Sequence, residues 1–571
     1  MTFDTTAPAR EPVNLSVAPF DLDADAIEWV ESTLAGLTTR QKVGQILCPY
    51  LRSDDMTEWG ARLAELDLEP GSVMLLSKPR DLARANVADL QAAASIPLLI
   101  AANLEAGTVN FIDSSEIFAN PMQVAATGQE RHAERLAQHC LRAANDIGIN
   151  WAFAPVVDVA LNPGNPITNV RAFADDPELV ARLGETYVRV LESAGVATST
   201  KHFPGDGVDD RDQHLTTTNN DLSAEEWEAT FAPVYRRAIA AGTRTIMVGH
   251  IRQPALSREL VPGIAPEQIM PATLAPELIW GVLRDRLGFN GLVVTDNTAM
   301  TGMTALLPRE ESLPLTILSG CDVVLGNLDL AEDFDIILDA VDSGRIPMER
   351  LDQAVRRVLA TKASIGLHEG TSRAAGELPD VDEERAWRDE LSRDAITLVK
   401  DTVGLLPLAA DSFPRVLVYV LGDEPTFYDP SAHLAPRFAE GLRARGMTVD
   451  VRHIPGEGRT PQSARRLQDD FDLCFYFANV KTIGNSNTIR AHWTPPQGPD
   501  APRHVADLPT VLVSVSTPYL LEDLPMVRTA VNGYTPSTST VDAALQALFG
   551  EIPFSGRSPV DAFAGRWDAA L

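Results

Sequence analysis

Cysteine is scarce: the 571 residues hold only 4, Cys48, Cys140, Cys321 and Cys474, and none of the paired spacings of a zinc site. Cys48 and Cys321 fall in the apolar runs ILCPYL and GCDVVLG, where a thiol packs as a small hydrophobe, so structural thiols are expected. No uninterrupted apolar run is long enough to span a bilayer. The opening stretch MTFDTTAPAREPVNL has no basic region followed by an apolar one, so a secretory signal is not expected and the chain reads as cytoplasmic. Basic side chains are outnumbered, 48 Lys and Arg against 79 Asp and Glu, for a formal charge of −31. Such a field repels nucleic acid and anionic membrane alike, which excludes both as expected partners. Short-period repeats and low-complexity tracts are also missing. With 45% apolar and 22% charged residues, wholesale disorder is excluded too.

What is present is a series of short apolar runs separated by helix-like segments. In order they are GQILCPYL, GSVMLLS, IPLLIAANLE, INWAFAPVVDV, VATSTKHF, TRTIMVGHI, GLVVTDN and CDVVLGN. Continuous apolar runs suit strands buried on both faces, as in a parallel sheet. The segment DPELVARLGETYVRVLESAG (176–195) has helical spacing and ends at glycine. Eight such units predict a (β/α)8 TIM-like barrel. A doubly wound open sheet is the alternative, but no glycine-rich dinucleotide fingerprint follows the first run. A polar stretch, EGTSRAAGELPD, then precedes RVLVYVLGD, LCFYFANV and PTVLVSVST, which predict a C-terminal α/β sandwich domain. The expected organisation is an N-terminal arm (1–24), the barrel (25–370), a linker (371–391) and the sandwich domain (392–571).

Barrel active sites sit at the C-terminal ends of the strands. Those ends carry Asn103 and Glu105, Asp158, Lys201 and His202, His250, Asp296 and Asn297, and Asn327. Asp296 leaves an apolar strand for the barrel mouth, where an unpaired carboxylate needs a cationic partner or a task; capping the following helix is the other reading. Asp212 and His214 lie two residues apart in the loop VDDRDQHL. In extended chain that spacing puts both on one side, where a carboxylate orients an imidazole and raises its proton affinity. Such a pair can serve as general acid and then base, although Asp209 and Asp210 are alternative partners and a mobile polar loop is the plainer reading. His250 reads as a pocket-lining side chain or a satisfied strand-end histidine, and Asp158 as a structural acceptor of loop backbone. KTIGNSNTIRAHW (481–493) reads as a surface loop, with the barrel mouth as its other destination.

KHFPGDG with its later DQH, and GFNGLVVTDNTAM, resemble glycoside hydrolase family 3, in its β-N-acetylglucosaminidase branch. LTTRQKVGQIL (37–47), FANPMQVAATG (118–128), NPITNVRAFADDP (165–177) and SRDAITLVKDTVGLLPL (392–408) extend the resemblance over most of the chain. It implies a retaining glycosidase with Asp296 as nucleophile and His214 as acid/base, oriented by Asp212. Arg171, Lys201 and His202 would bind sugar hydroxyls, with no metal or organic cofactor. The expected substrate is a small oligosaccharide or glycoside bearing a β-linked N-acetylhexosamine or related sugar. A neutral imidazole base does not repel an anion, so inorganic phosphate is an alternative acceptor and a glycoside phosphorylase the alternative reading. A catalytically silent sugar-binding protein is a further one. The chain departs from the family pattern in NLEAGTVNF (103–111). There Asn103 replaces a sugar-binding Asp, Ala106 a Gly, and Thr108 and Phe111 arginines, which implies a changed sugar preference. Asp206 stands where the motif has His, and Gln213 fills the middle of the dyad.

Overall fold

The computed structural model describes residues 13–52, 54–113, 115–370, 380–424, 433–456, 464–482, 484–495 and 498–571. Each of the eight apolar runs forms a short strand, because side chains on both of its faces are buried. These are β1 (in two pieces, Leu47–Cys48 and Tyr50–Leu51), β2 (Ser72–Leu75), β3 (Leu99–Ala102) and β4 (Trp151–Ala152). They continue as β5 (Ala197–Phe203), β6 (Thr245–Val248), β7 (Leu292–Thr295) and β8 (Val324–Leu325). β1 to β7 pair in sequence order in a parallel seven-stranded sheet. β8 pairs with β1 on one side and meets β7 through the Val294–Val323 bridge on the other, which closes the ring. The lumen is a packed core of side chains including Met74, Leu99, Trp151, Met247 and Leu325. The one polar group of Trp151 is satisfied, since its indole N–H donates to Thr245 Oγ1 at 2.9 Å.

The surrounding helices follow from amphipathic spacing and local caps. Asp176 accepts from the Glu178 N–H at 3.1 Å and starts the helix Pro177–Ser193. Val180, Leu183, Tyr187 and Leu191 form its inner face at intervals of three and four. Of the expected arm, residues 1–12 lie outside the described residues, while Val13, Leu15, Phe20 and Leu22 pack into the core between strands and helices. Of the expected linker, 371–379 lie outside the described residues, and Val381–Ala395 is a helix. The four cysteines are buried and unpaired, in keeping with structural thiols, and burial pushes the thiols of Cys48 and Cys140 up to about 12. Among the described residues no helix is long and apolar enough to cross a membrane.

The second domain is a six-stranded sheet of β9 (Thr397–Asp401), β10 (Arg415–Gly422), β11 (Thr448–Ile454), β12 (Leu473–Asn479), β13 (Thr510–Ser514) and β14 (Thr529–Asn532). Its order is β9-β14-β13-β12-β10-β11, parallel throughout except for β9. The period of two assigns its faces: Val416, Val418 and Val420 pack with Phe438 and Leu545, while Leu417, Tyr419 and Leu421 pack with Leu467 and Leu524. An α/β sandwich results. It is fastened to the barrel by the helix Val381–Ala395, whose acids face the helix Glu130–Ile147. Arg135 pairs with Glu390 at 2.8 Å, Arg142 with Glu383 at 2.9 Å and His139 with Glu384 at 2.9 Å. Asn120 and Gln123 add hydrogen bonds to the backbone carbonyls of Tyr534 and Gly533.

Candidate active site

Of the polar residues selected as strand ends, Asn103, Glu105, Asp158, Lys201, His202 and Asp296 come together at the mouth of the barrel. Asp296 follows β7, and its backbone N–H donates to the Val248 carbonyl at 2.8 Å. Its Oδ1 accepts only locally, from the Asn297 N–H at 2.7 Å. Its Oδ2 faces His202 Nε2 at 3.9 Å. The capping reading does not hold, because the next helix starts at Thr301 with Met300 at its cap. Burial raises the Asp296 proton affinity, but the facing His202, His250 and His214 outweigh it and hold the carboxyl below its ordinary range. The group is therefore ionised, with 13% of its side chain exposed.

His202 is fixed from behind. Its Nδ1 donates to Asp158 Oδ2 at 2.7 Å, and its backbone N–H donates to Asp158 Oδ1 at 3.0 Å. The carboxylate sets the tautomer and leaves Nε2 to the pocket. Asp158 also accepts from the Asp206 N–H at 2.8 Å, so its expected structural role is combined with orienting a site imidazole.

A second group lies on the β3–β5 side. Glu105 receives a two-pronged contact from Arg171, Nε to Oε2 and Nη2 to Oε1, both at 2.8 Å. Lys201 Nζ reaches Glu105 Oε1 at 2.6 Å and Asn103 Oδ1 at 3.0 Å. Burial works against the Glu105 charge, but Arg171 and Lys201 pull its carboxyl well below the carboxylate range. Burial lowers the Lys201 ammonium against the opposing pull of Glu105. Glu105 marks a strand end in the sequence, yet only this geometry reveals it as the anion that Arg171 and Lys201 share. Phe111, where the family pattern has an arginine, is fully buried and offers no donor to the pocket.

Asp212 and His214 are in contact: His214 Nδ1 and Asp212 Oδ1 lie 2.7 Å apart, and the His214 N–H donates to the same oxygen at 2.9 Å. Burial lowers the His214 proton affinity and Asp212 more than restores it, leaving the imidazole above its ordinary value. The two alternative partners fall away, since Asp209 is clasped by Arg211 at 2.6 Å and Asp210 is exposed. Asp212 is fully buried while His214 keeps 28% exposure, so the imidazole alone faces the mouth. The loop is tied to the β7 side by Thr301 N–H to His214 O at 3.1 Å and Gly302 N–H to Gln213 O at 3.2 Å.

His250 resolves as a satisfied histidine: Nδ1 meets Thr273 Oγ1 at 2.9 Å and Nε2 meets the Asn297 carbonyl at 3.0 Å. Burial lowers its proton affinity. Asp206 is buried behind the site, bonded to Asn165 Nδ2 at 2.9 Å, and burial together with the Asp158 charge pushes it up to about 7. The surface-loop reading of 481–493 is overturned, because the Asn485 N–H donates to Asp212 Oδ2 at 2.7 Å. Away from the mouth, His132, Glu390 and Asp394 have ligand atoms within 4.8 Å of one another. Arg131 and Arg135 already hold those carboxylates at 2.7 and 2.8 Å, so the cluster works as an interdomain ion-pair knot.

A closed parallel barrel with ionised carboxylates, oriented imidazoles and paired cations at the C-terminal ends of its strands defines a barrel enzyme equipped for nucleophilic and acid–base chemistry. The comparison with protein families is specific: residues 38–361 match the Glycosyl hydrolase family 3 N terminal domain. The chain belongs to glycosyl hydrolase family 3 and is a hydrolase of that family. A β-N-acetylglucosaminidase/β-glucosidase of Cellulomonas fimi is 45% identical over 567 residues, covering 98% of this chain and 100% of that protein. Among solved structures, the β-glucoside phosphorylase BglX superimposes with a TM-score of 0.89 at 39% identity, covering 97% of this chain and 99% of that one. A family 3 β-N-acetylglucosaminidase from Paenibacillus sp. str. FPU-7 gives a TM-score of 0.79 at 27% identity, over 93% of this chain and 100% of that one.

Proposed function

We propose that the chain is a retaining exo-glycosidase that cleaves β-linked N-acetylhexosaminides or glucosides through a covalent glycosyl-Asp296 intermediate. The observation that carries this is an ionised Asp296, whose Oδ2 takes no backbone donor among the described residues, facing a site that also holds an imidazole whose other nitrogen is held by Asp212 at 2.7 Å. In the first step an Asp296 oxygen forms a bond to the anomeric carbon, and the bond from that carbon to the leaving oxygen breaks. His214 Nε2 gives its proton to that oxygen. In the second step a water gives a proton to His214 and its oxygen displaces Asp296. Two inversions give net retention. Arg171, Lys201, His202 and Asn103 are the proposed donors and acceptors for sugar hydroxyls. Glu105 sits between the two cations and offsets part of their mutual repulsion, which leaves a net positive charge toward the sugar. The double name of the Cellulomonas relative supports testing both sugars. Cleavage of an aryl β-N-acetylglucosaminide and an aryl β-glucoside, with proton NMR of the first-formed product, checks the reading. β-Anomer as the first product supports it, and α-anomer overturns it.

A second reading, phosphorolysis, is favoured by the likeness to BglX, a β-glucoside phosphorylase, along nearly the whole chain. In that case phosphate oxygen attacks the anomeric carbon and Asp296 leaves. A neutral His214 flanks the path of the anion, where a carboxylate base would repel it. A sugar 1-phosphate product and a rate that depends on phosphate concentration would select this reading over hydrolysis.

A further inference from the structure

The acid/base pair belongs to the barrel, yet the last hydrogen bond on it comes from the other domain. Asp212 Oδ1 is taken by His214, through Nδ1 at 2.7 Å and the backbone N–H at 2.9 Å. Among the described residues Oδ2 has one donor, the Asn485 backbone N–H at 2.7 Å. Asn485 holds a left-handed backbone, φ 65°, which turns that N–H toward the barrel. Beside it, a β-carbon placed on Gly484 would lie 3.6 Å from both Cε1 and Nε2 of His214. Gly484 thus lies along the edge of the ring that carries the transferable proton.

The segment that delivers these two residues is anchored. Arg490 Nε reaches Asp523 Oδ1 at 2.8 Å, and the Ala491 N–H reaches Asp523 Oδ2 at 2.8 Å. Trp493 packs edge-on against Tyr476 of β12, with ring centroids 6.2 Å apart.

We propose that the C-terminal domain completes the acid/base. In this reading Asn485 is a positioning residue that locks the Asp212 carboxylate through its N–H, and Gly484 limits the swing of the His214 ring. An N–H bond to a carboxylate is charge-assisted, and here it removes the rotation that would let Asp212 release Nδ1. With the carboxylate fixed, Nε2 is held toward the leaving oxygen, and a small misplacement of a proton donor is costly to the rate. The inference rests on His214 being the acid/base, so the test separates the two.

The experiment compares a phenyl glycoside, whose leaving group needs a proton, with a 2,4-dinitrophenyl glycoside, whose leaving group does not. Asn485→Pro removes the N–H. In the full-length chain it is expected to lower kcat/KM for the phenyl substrate by about tenfold or more while changing the dinitrophenyl value by less than about threefold. Asn485→Gly keeps both the N–H and access to positive φ, and retains the wild-type discrimination between the substrates. Equal losses on both substrates, or no loss on either, in a folded Asn485→Pro protein would overturn the proposal. Should Asn485→Pro fail to fold, Gly484→Leu decides. Its side chain crowds the edge of the ring and is expected to give the same selective loss, and an unchanged ratio overturns the proposal. His214→Ala is run in parallel. If it shows no leaving-group selectivity, the acid/base assignment itself fails; if it does and the loop variants do not, only the positioning role is wrong.

Discussion

The two walls of the site are built on different principles. The sugar wall, Glu105, Arg171, Lys201 and Asn103, is internal to the barrel, and the side chains of Lys201 and Glu105 keep only 3% and 5% exposure. Its single carboxylate is shared by two cations, one from a strand end and one, Arg171, from the short turn Asn169–Arg171. The proton wall, Asp212 and His214, hangs on a loop and takes contacts from β7's side and from the second domain. One wall is held together by charges paired at short range. The other is precise only while three pieces of chain stay in register. On the proposed roles, binding belongs to the barrel, and proton transfer to the assembly of the two domains.

The largest effect is expected at the centre shared by both walls. Asp296→Ala leaves no nucleophile, and kcat should fall by about 10⁴-fold or more on every glycoside, whatever its leaving group. Azide added to this variant and a phenyl or dinitrophenyl substrate would test the role chemically, since an external nucleophile restores product and inverts its configuration. On the proton wall, His214→Ala should cost about 10²- to 10⁴-fold with a poor leaving group and far less with a good one. Equal losses on both would erase the distinction between the walls.

Much of the sugar wall was legible in the chain. Eight apolar runs form eight strands, and the rule that barrel chemistry sits at strand ends selects Asn103, Asp158, Lys201, His202 and Asp296 from the sequence alone. It also selected Glu105, but a strand-end position does not say which cations will share it, because Arg171 is 66 residues away. The proton wall was half legible. Asp212 and His214 are neighbours in sequence, and their spacing alone suggested a pair. The donor from Asn485 comes across 273 residues and from a backbone amide, which no side-chain pattern encodes. Asn485 and Gly484 sit in a polar, glycine-containing stretch, and such composition looks the same in an idle loop and in one that docks.

The stability of the two walls should differ as their construction does. Glu105→Ala leaves Arg171 and Lys201 close together and unbalanced in a largely buried place, and should cost about 3–5 kcal/mol of unfolding free energy, read from urea melts. The same truncation at His214, which is 28% exposed, removes little packing, and its melt should stay near that of the native chain. If the Glu105 variant melts normally, the carboxylate is not the keystone of that wall.

The pH dependence sharpens the contrast. Asp212 raises the proton affinity of His214, so the protonated acid survives to higher pH than an unassisted imidazole would allow. Bond cleavage needs that proton, and activity falls as pH rises through the His214 pKa. Asp212→Asn removes the charge that raises it, so the alkaline limb of kcat/KM for the phenyl glycoside should move to lower pH. A Glu105→Gln change should leave that limb in place while altering KM, because its charge acts on the other wall. A limb that moves equally in both variants would mean that the walls are electrostatically one.

The smallest effect is expected where the sequence departs from its family. Lys201 Nζ is shared between Glu105 at 2.6 Å and Asn103 at 3.0 Å, and the amide contributes a dipole where the family pattern has a full charge. Asn103→Asp puts a second carboxylate on the ammonium and an anionic acceptor toward the sugar. Burial already opposes the Lys201 charge, so the new carboxylate is stabilised by an existing partner and should fold without penalty. A hydroxyl hydrogen bond to a charged acceptor is worth roughly 1 kcal/mol more than one to a neutral acceptor, which corresponds to about a fivefold lower KM. The gain should appear in KM and leave the alkaline limb of the pH profile where it was. Comparing the N-acetylglucosaminide with the glucoside then shows whether the new acceptor favours one sugar. If KM is unchanged for both while the fold is intact, Asn103 faces Lys201 alone, and the sugar preference is set elsewhere on that wall.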